Sequence, residues 1–207
     1  MVPQPVSKRS RVAPGESRKE LILDAADRLL AHFGYKKMTV EDIAREAGIG
    51  KGTVYLHFAS KEEVVLSHVD RIVRPLFAEL DAIAAQDRSA ADRLRAMLLR
   101  RVMLRFDAAT PFTVSLSEVL SDLRAGVVER RERHFVQEAK ALTAMLREGQ
   151  RRGEFRVHNA AATARLLIAA TNSLLPFSLS TAELGKRREV EATAAGIADL
   201  VVAGLRK

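Results

Sequence analysis

The sequence contains no cysteine, which excludes disulfides and thiolate chemistry and fits a reducing compartment. No stretch approaches the roughly 18 consecutive apolar residues of a membrane span. The first residues lack the apolar core of a secretory leader, so a cytoplasmic location is expected. There is no extended low-complexity segment and no internal repeat of roughly 20–50 residues. The histidines, His32, His57, His68, His134 and His158, are scattered and never reach H-x-x-x-H or HExxH spacing. No G-x-S-x-G and no phosphate-binding glycine loop occurs. These absences leave no catalytic residue, metal ligand set or cofactor to name, and the chain is not expected to be an enzyme.

What is present is a chain of 207 residues, long enough for one large or two small domains. It is 47% hydrophobic with a mean hydropathy of −0.06, which suits a soluble globular protein. Thirty-four Lys and Arg stand against 26 Asp and Glu, a formal net charge of +8. Such a surplus favours polyanionic partners, nucleic acid before anionic membrane surfaces. Residues 1–16 carry three prolines and little apolar material, which predicts a flexible arm. Lys8, Arg9, Arg11, Arg18 and Lys19 make that end basic, so it either follows the phosphate backbone or reaches into the minor groove of DNA, or serves as a solubilising tail.

Hydrophobic periodicity predicts helix after helix, nine in all, with no strand-like alternation. A first helix from residue 17 to 32 or 33 places Ile22, Ala25, Ala26, Leu29, Leu30 and Phe33 on one stripe and ends at Gly34. Asp24 and Asp27 lie opposite that stripe and read as a solvated face. The segment Ser60-Lys61-Glu62-Glu63 reads as a capping box. It opens a long helix through Ile83, in which Pro75 predicts a kink or break and so a lever between two domains. Helices follow over residues 89–107, from Thr110-Pro111 to 119 or 120, over 125–152, from Asn159 to about 179, and from 181 or 182 to 205. In the first of these, Arg101 and Arg105 fall in the apolar register and suggest a partly wet face. The run from Glu129 to Arg133 reads as a salt-laced outer surface.

Residues 39–61, TVEDIAREAGIGKGTVYLHFASK, read as two short helices meeting at a tight turn. Thr39 caps the first, whose Val40, Ile43, Ala44 and Ala47 share a face. Gly48 ends it. The second, residues 51–58, turns Val54 and Phe58 inward and leaves Lys51, Gly52, Thr53, Tyr55, Leu56 and His57 to a partner. This is a helix-turn-helix, whose second helix can enter the major groove of DNA. Lys51 suits guanine or phosphate, Thr53 either, and Leu56 a thymine methyl. Thr39, Tyr55, His57 and Lys61 have the reach for phosphate oxygens.

At this point residues 18–66 resemble the N-terminal domain of the TetR family of transcriptional regulators. The resemblance rests on Ile22-Leu23, Ala25-Ala26, Phe33-Gly34-Tyr35, Thr39-Val40, Ile43-Ala44, Ala47-Gly48, Gly52-Thr53-Val54-Tyr55, His57-Phe58 and Ser60-Lys61-Glu62. It implies an all-α fold with three parts: a basic arm at 1–16, a three-helix DNA-binding domain at 17–63, and a larger ligand-binding and dimerisation domain at 64–207. It also implies a homodimer through the last two helices and a palindromic operator with half-sites about 34–36 Å apart or somewhat more. By position, Lys51, Gly52, Thr53, Tyr55 and Leu56 become candidates for base contacts, and Thr39, Tyr55, His57 and Lys61 for phosphate contacts. Gly50 stands where the family often has serine, and Met38 where it often has threonine.

The resemblance further implies a small-molecule effector, enclosed by the C-terminal part, that moves the Pro75 helix and releases DNA. Met97, Met103, Phe106, Phe112, Phe135, Asn172 and Phe177 are candidate lining residues, though Met and Phe at helical spacing are also what cores are made of. Asn172 stands out because a buried amide needs a partner. The expected function is a homodimeric repressor released from its operator by a ligand. The alternative is a structural or cell-cycle DNA-binding protein of the same fold without an inducer.

Overall fold

A computed structural model describes residues 18–175 and 185–206. The basic arm, Phe177, and the expected ends of the last two helices at 176–179 and 181–184 lie outside the described residues. Among the described residues the fold is all-α, with nine α-helices, one 3-10 turn and no strand.

The first three helices are α1 (Arg18–Lys37), α2 (Val40–Glu46) and α3 (Lys51–His57). Near its end α1 is interrupted by Gly34, whose φ of 78° and ψ of 173° are open essentially to glycine alone. Phe33, expected in the core, is 58% exposed, because the stripe that packs ends at Leu30 and the chain then turns through Gly34 to bury Tyr35 and Met38. Ile22, Leu30, Ile43, Val54 and Phe58 form one apolar core with Val64 and Val65. Val119 and Val127 reach into the same core from much later in the chain.

Helix α4 (Lys61–Ala84) begins at Ser60, whose Oγ accepts from Glu63 N–H at 3.2 Å. It runs through Pro75 as one continuous helix, so the expected break is not there. Pro75 sits on the exposed side, where water can satisfy the carbonyl left free one turn earlier. Asp24 and Asp27 do not simply face water either. The Arg71 guanidinium on α4 bonds to both, which ties α1 to α4.

The body comprises α5 (Ala90–Ala109), a 3-10 turn (Thr110–Phe112), α6 (Thr113–Asp122), α7 (Arg124–Arg151), α8 (Ala160–Asn172) and α9 (Arg187–Leu205). Thr110 does not cap a new helix as expected: its Oγ1 donates back to Phe106 C=O at 2.9 Å, which prolongs α5 into the turn. Asn159 caps α8 as read, accepting from Ala162 N–H at 3.0 Å, but α8 closes at Asn172, short of the expected 179. Leu94, Met97, Leu98, Leu142, Leu146 and Ala164 are central to the main core, and Met103 and Phe106 pack with Val190 and Ala194 in a second one.

Two charge readings are corrected here. Arg101 and Arg105 are dry, at 0% and 2% exposure. Glu138 on α7, itself 0% exposed, accepts from Arg101 Nε at 2.7 Å and from Arg105 Nη2 at 2.5 Å. Arg101 also donates to the buried Thr171 hydroxyl of α8. An isolated buried guanidinium would be prohibitively costly, so these positions are explained by a partner 33 to 37 residues away in sequence. Likewise Arg130 does not belong to an outer face. It is buried between α4 and α7, donating to both Glu63 oxygens at 2.9 Å and to Asp70.

Candidate nucleic-acid interface and ligand groove

The turn between α2 and α3 is built by local hydrogen bonds. Thr39 Oγ1 accepts from Asp42 N–H at 3.2 Å, while Asp42 Oδ2 accepts from Thr39 N–H at 3.1 Å, a reciprocal capping box. Gly48, with φ 68°, then turns the chain so that Ile49 N–H donates to Ala44 C=O at 2.9 Å. Gly50 occupies the N-cap of α3 and supplies no side-chain bond, as its sequence position predicts. Val54 and Phe58 anchor the helix to the core.

The opposite face of α3 is open. Leu56 is 83% exposed and Tyr55 48%, and no described residue of the chain covers them. Lys51 and Gly52 are exposed beside them, and Thr53 and His57 are partly so. Lys51 Nζ, however, is paired with Glu41 of α2 and lies 5.9 Å from the Tyr55 ring centroid. That partner holds the Glu41 carboxyl below the usual carboxylate range, chiefly through its hydrogen bond, and raises Lys51. Lys51 would therefore exchange an acidic partner for any acceptor on a nucleic acid.

Two of the phosphate candidates are committed elsewhere. The Thr39 hydroxyl is used in its cap and also donates to Asp42 Oδ2 at 2.6 Å. Lys61 folds back over the Tyr35 ring, 4.1 Å from its centroid, and donates to Tyr35 C=O at 3.2 Å. Met38 is 1% exposed, so this position is part of the core and not of the outer face.

Sequence reasoning missed the contacts that tie the end of α1 to α4 and to α6 of the body. Tyr35 O–H donates to Glu62 at 2.9 Å. Burial and the adjacent Glu62 carboxylate push the phenol well above its ordinary pKa. Glu118 of α6 accepts from Lys36 N–H at 3.0 Å, immediately after the Gly34 break. A Cβ on Gly34 would stand 2.9 Å from Glu118 Oε2, so α6 approaches closely where α1 is interrupted. The signal available in the sequence was the sharp Phe33-Gly34-Tyr35 turn, but nothing in it names a partner 82 residues away.

Between α7 and α8 lies a largely apolar groove of about 730 Å³, lined by Phe135, Ala139, Ala144, Ala161 and Ile168 among others. The volume falls within the roughly 300–1,000 Å³ of small-molecule sites. Of the candidate lining residues, Phe135 and Asn172 are on this groove. Phe112 lines a separate small cavity of about 50 Å³ beside His68 and Arg105, whereas Met97, Met103 and Phe106 are buried in the cores. On the outer surface of the body Leu166 of α8 and Leu200 of α9 are 68% and 76% exposed. The buried stripe of α9 is Val190, Ala194, Ala198 and Val202, so its outward apolar face is centred on Leu200.

Among the described residues no group of three or more His, Cys, Asp or Glu could hold a metal ion, and no helix is long and apolar enough to cross a membrane.

Comparison with known proteins bears out the family resemblance. Residues 22–67 match the family model described as "Bacterial regulatory proteins, tetR family". The chain is 34% identical over 98 residues to the HTH-type transcriptional regulator BetI of Agrobacterium fabrum, covering 47% of each chain. It thus spans about half the length of the curated relatives it matches. Its fold is similar to that of a transcriptional regulator from Cytophaga hutchinsonii, with a TM-score of 0.77 and 21% identity over 93% of this chain and all of that one. It is also similar to SmeT, described as the repressor of the Stenotrophomonas maltophilia multidrug efflux pump SmeDEF. There the TM-score is 0.68 at 25% identity, covering 93% of this chain and 92% of the other.

Proposed function

We propose that this chain, whose N-terminal domain belongs to the TetR family of bacterial regulatory proteins, is a cytoplasmic, homodimeric transcriptional regulator. It reads a palindromic operator through α3 and is released by a small-molecule effector. The observation that carries the reading is α3 itself: anchored by Val54 and Phe58 on one side, it presents Lys51, Thr53, Tyr55 and Leu56 on the other. A helix anchored in this way and open along its other face suits insertion into a major groove. The named relatives are transcriptional regulators, which agrees with a binding protein and not an enzyme.

In this reading residues 17–63 bind DNA and residues 64–207 bind the effector and the second subunit. The Leu166 and Leu200 faces of α8 and α9 supply the self-association surface, because two exposed leucines on adjoining helices are relieved of water by a two-fold copy. The effector sits in the α7–α8 groove. Displacement of α7 would be felt at the reading unit through Arg130, which grips Glu63 and Asp70 on α4, and through the Glu118–Lys36 contact. The groove favours this reading over a DNA-binding protein without an inducer.

Selection of genomic fragments by the purified protein is expected to return a palindrome. Fragments bound without any shared sequence would overturn the reading. Leu166→Glu with Leu200→Glu should give monomers in sedimentation that bind the selected site weakly; persistent dimers would move the interface away from α8 and α9.

A further inference from the structure

The α7–α8 groove has a chemistry more specific than its size. Its rim carries Lys140 and Arg147 from α7 and Arg165 from α8. None of the three has an ion-pair partner among the described residues, and none of the twelve described residues lining the groove is acidic. Elsewhere exposed arginines are of both kinds: Arg28, Arg95 and Arg187 are paired with Glu46, Asp199 and Asp107, whereas Arg88, Arg133 and Arg151 have no ion pair among the described residues. What sets the three groove cations apart is that they share one largely apolar surface with no acidic residue among its described lining. Lys140 and Arg147 lie two helical turns apart, about 10 Å along one face of α7, so both can reach the same ligand.

A second observation lies behind the groove wall. Phe135, which lines the groove, has the Arg101 guanidinium 5.6 Å from its ring centroid on one side and that of Arg131 at 5.8 Å. Arg101 belongs to the buried cluster of two arginines and one glutamate, which leaves one positive charge in excess in a water-free place. One of its nitrogens, Arg101 Nη2, is buried without a hydrogen-bond partner among the described residues, and so is Asn172 Oδ1 at the groove. Burial also pushes the Arg105 guanidinium below its ordinary pKa, despite the Glu138 carboxylate beside it. Fixed positive charge in a low-dielectric wall acts on a bound anion more strongly than the same charge in water.

We propose that the groove takes an amphipathic anion: an apolar chain along Ala139, Ala144, Ala161 and Ile168, with a carboxylate or phosphate head held by Arg147, Arg165 and Lys140. The inference rests on the groove being the effector site of a DNA-binding regulator. A second copy of the chain is a poor occupant, because like faces would bring the same cations together. A cationic or neutral lipophile leaves the three rim charges without a counter-charge.

The test uses the full-length protein and four probes of one chain length below their micellar concentrations: dodecanoate, dodecyl phosphate, dodecanol and dodecylamine. Affinities are measured by calorimetry, for the wild type and for Arg147→Gln/Arg165→Gln. Both substituted residues are exposed, and melting curves check that the variant is folded. At least one anion is expected to bind tighter than dodecanol by about tenfold, the range of one or two charge-assisted hydrogen bonds. Dodecylamine should bind weakest, and the double variant should lose the advantage of the anion while keeping its dodecanol affinity. Whichever anion binds better identifies the head group. Dodecanol or dodecylamine binding as tightly as either anion, no binding by any probe, or unchanged anion affinity in the variant would each overturn the proposal. Binding to the selected DNA is followed in the same preparations. Intact DNA binding with no anion preference removes the anion while leaving the regulator; loss of specific DNA binding in the wild type removes the regulator itself.

Discussion

The reading unit and the body of this protein handle charge in opposite ways. Around α3 the ionic groups are at the surface and are paired with near neighbours: Lys51 with Glu41, Asp42 with Thr39 and Arg45. In the body, Arg101, Arg105 and Glu138 are withdrawn from water and paired across three helices. Surface pairs contribute little to stability and part easily, which suits the proposed exchange of partners with DNA. A buried cluster is not easily parted, because removing one member leaves the others unpaired in a dry interior. The difference separates a surface built for exchange from an interior built for a fixed helix arrangement.

The largest expected effect tests the interior half of that contrast. Glu138→Ala should cost about 3–5 kcal/mol in urea unfolding, the range for breaking one side of a buried pair. Arg101→Met/Arg105→Met/Glu138→Leu together should cost far less, and Glu41→Ala at the surface should leave the midpoint unchanged. If Glu138→Ala is also without effect, the cluster is hydrated and the contrast disappears.

At the junction of the two regions, Gly34→Ala should cost about 1–3 kcal/mol, because its backbone angles are glycine-only. If the position is merely a surface turn, Glu118→Ala will not ease the penalty. If the close approach of α6 contributes, Glu118→Ala in the Gly34→Ala background will recover part of it.

On the reading face, Leu56→Ala should leave thermal stability untouched and change preference at particular operator base pairs by about 1–3 kcal/mol, the cost of one mismatched pair. Equal weakening on all sequences would assign Leu56 to non-specific contact. Lys61, folded onto Tyr35, should contribute little to the salt dependence of DNA binding, so Lys61→Ala should leave the slope nearly unchanged; a fall in slope by about one would show that Lys61 swings out to a phosphate on binding.

The smallest effect concerns His134, half-buried between α4 and α7 with Nε2 2.9 Å from Asp70 Oδ1. Burial lowers its pKa and outweighs the pull of Asp70. The folded state then takes up its proton later than the unfolded state as pH falls. Stability should be full above about pH 6.5, the ordinary histidine value, and decline below it. His134→Asn should flatten the melting temperature between pH 5 and pH 6.5, on the order of a single shifted group; an unaltered slope would place the titration elsewhere.

The reading unit was largely legible because its signals are local. Thr39 reaches Asp42, Gly48 turns the chain, and Val54 and Phe58 are one helical turn apart, all within the reach of a sequence window. The long-range pairs were not legible. Arg101 and Arg105 looked like polar interruptions of an apolar stripe, and Arg130 like one more member of a charged run, since periodicity reports a helix face but not what the face meets. Pro75 shows the reverse limit: despite a strong local signal for a kink or break, α4 runs on through it, with Pro75 on its exposed side.

By itself, then, the sequence determined the helical class, the helix-turn-helix and the resemblance of residues 22–67 to the family model they match, because helix periodicity, capping and tight turns depend on residues a few positions apart. Only the tertiary structure decided which of the polar side chains on those helices are dry. It brought Glu138 to Arg101 and Arg105, turned Arg130 onto α4, gathered Lys140, Arg147 and Arg165 around the groove, and set Glu118 against the break in α1. The cost of burying a charge depends on what stands opposite it in space, and spacing along the chain does not carry that information.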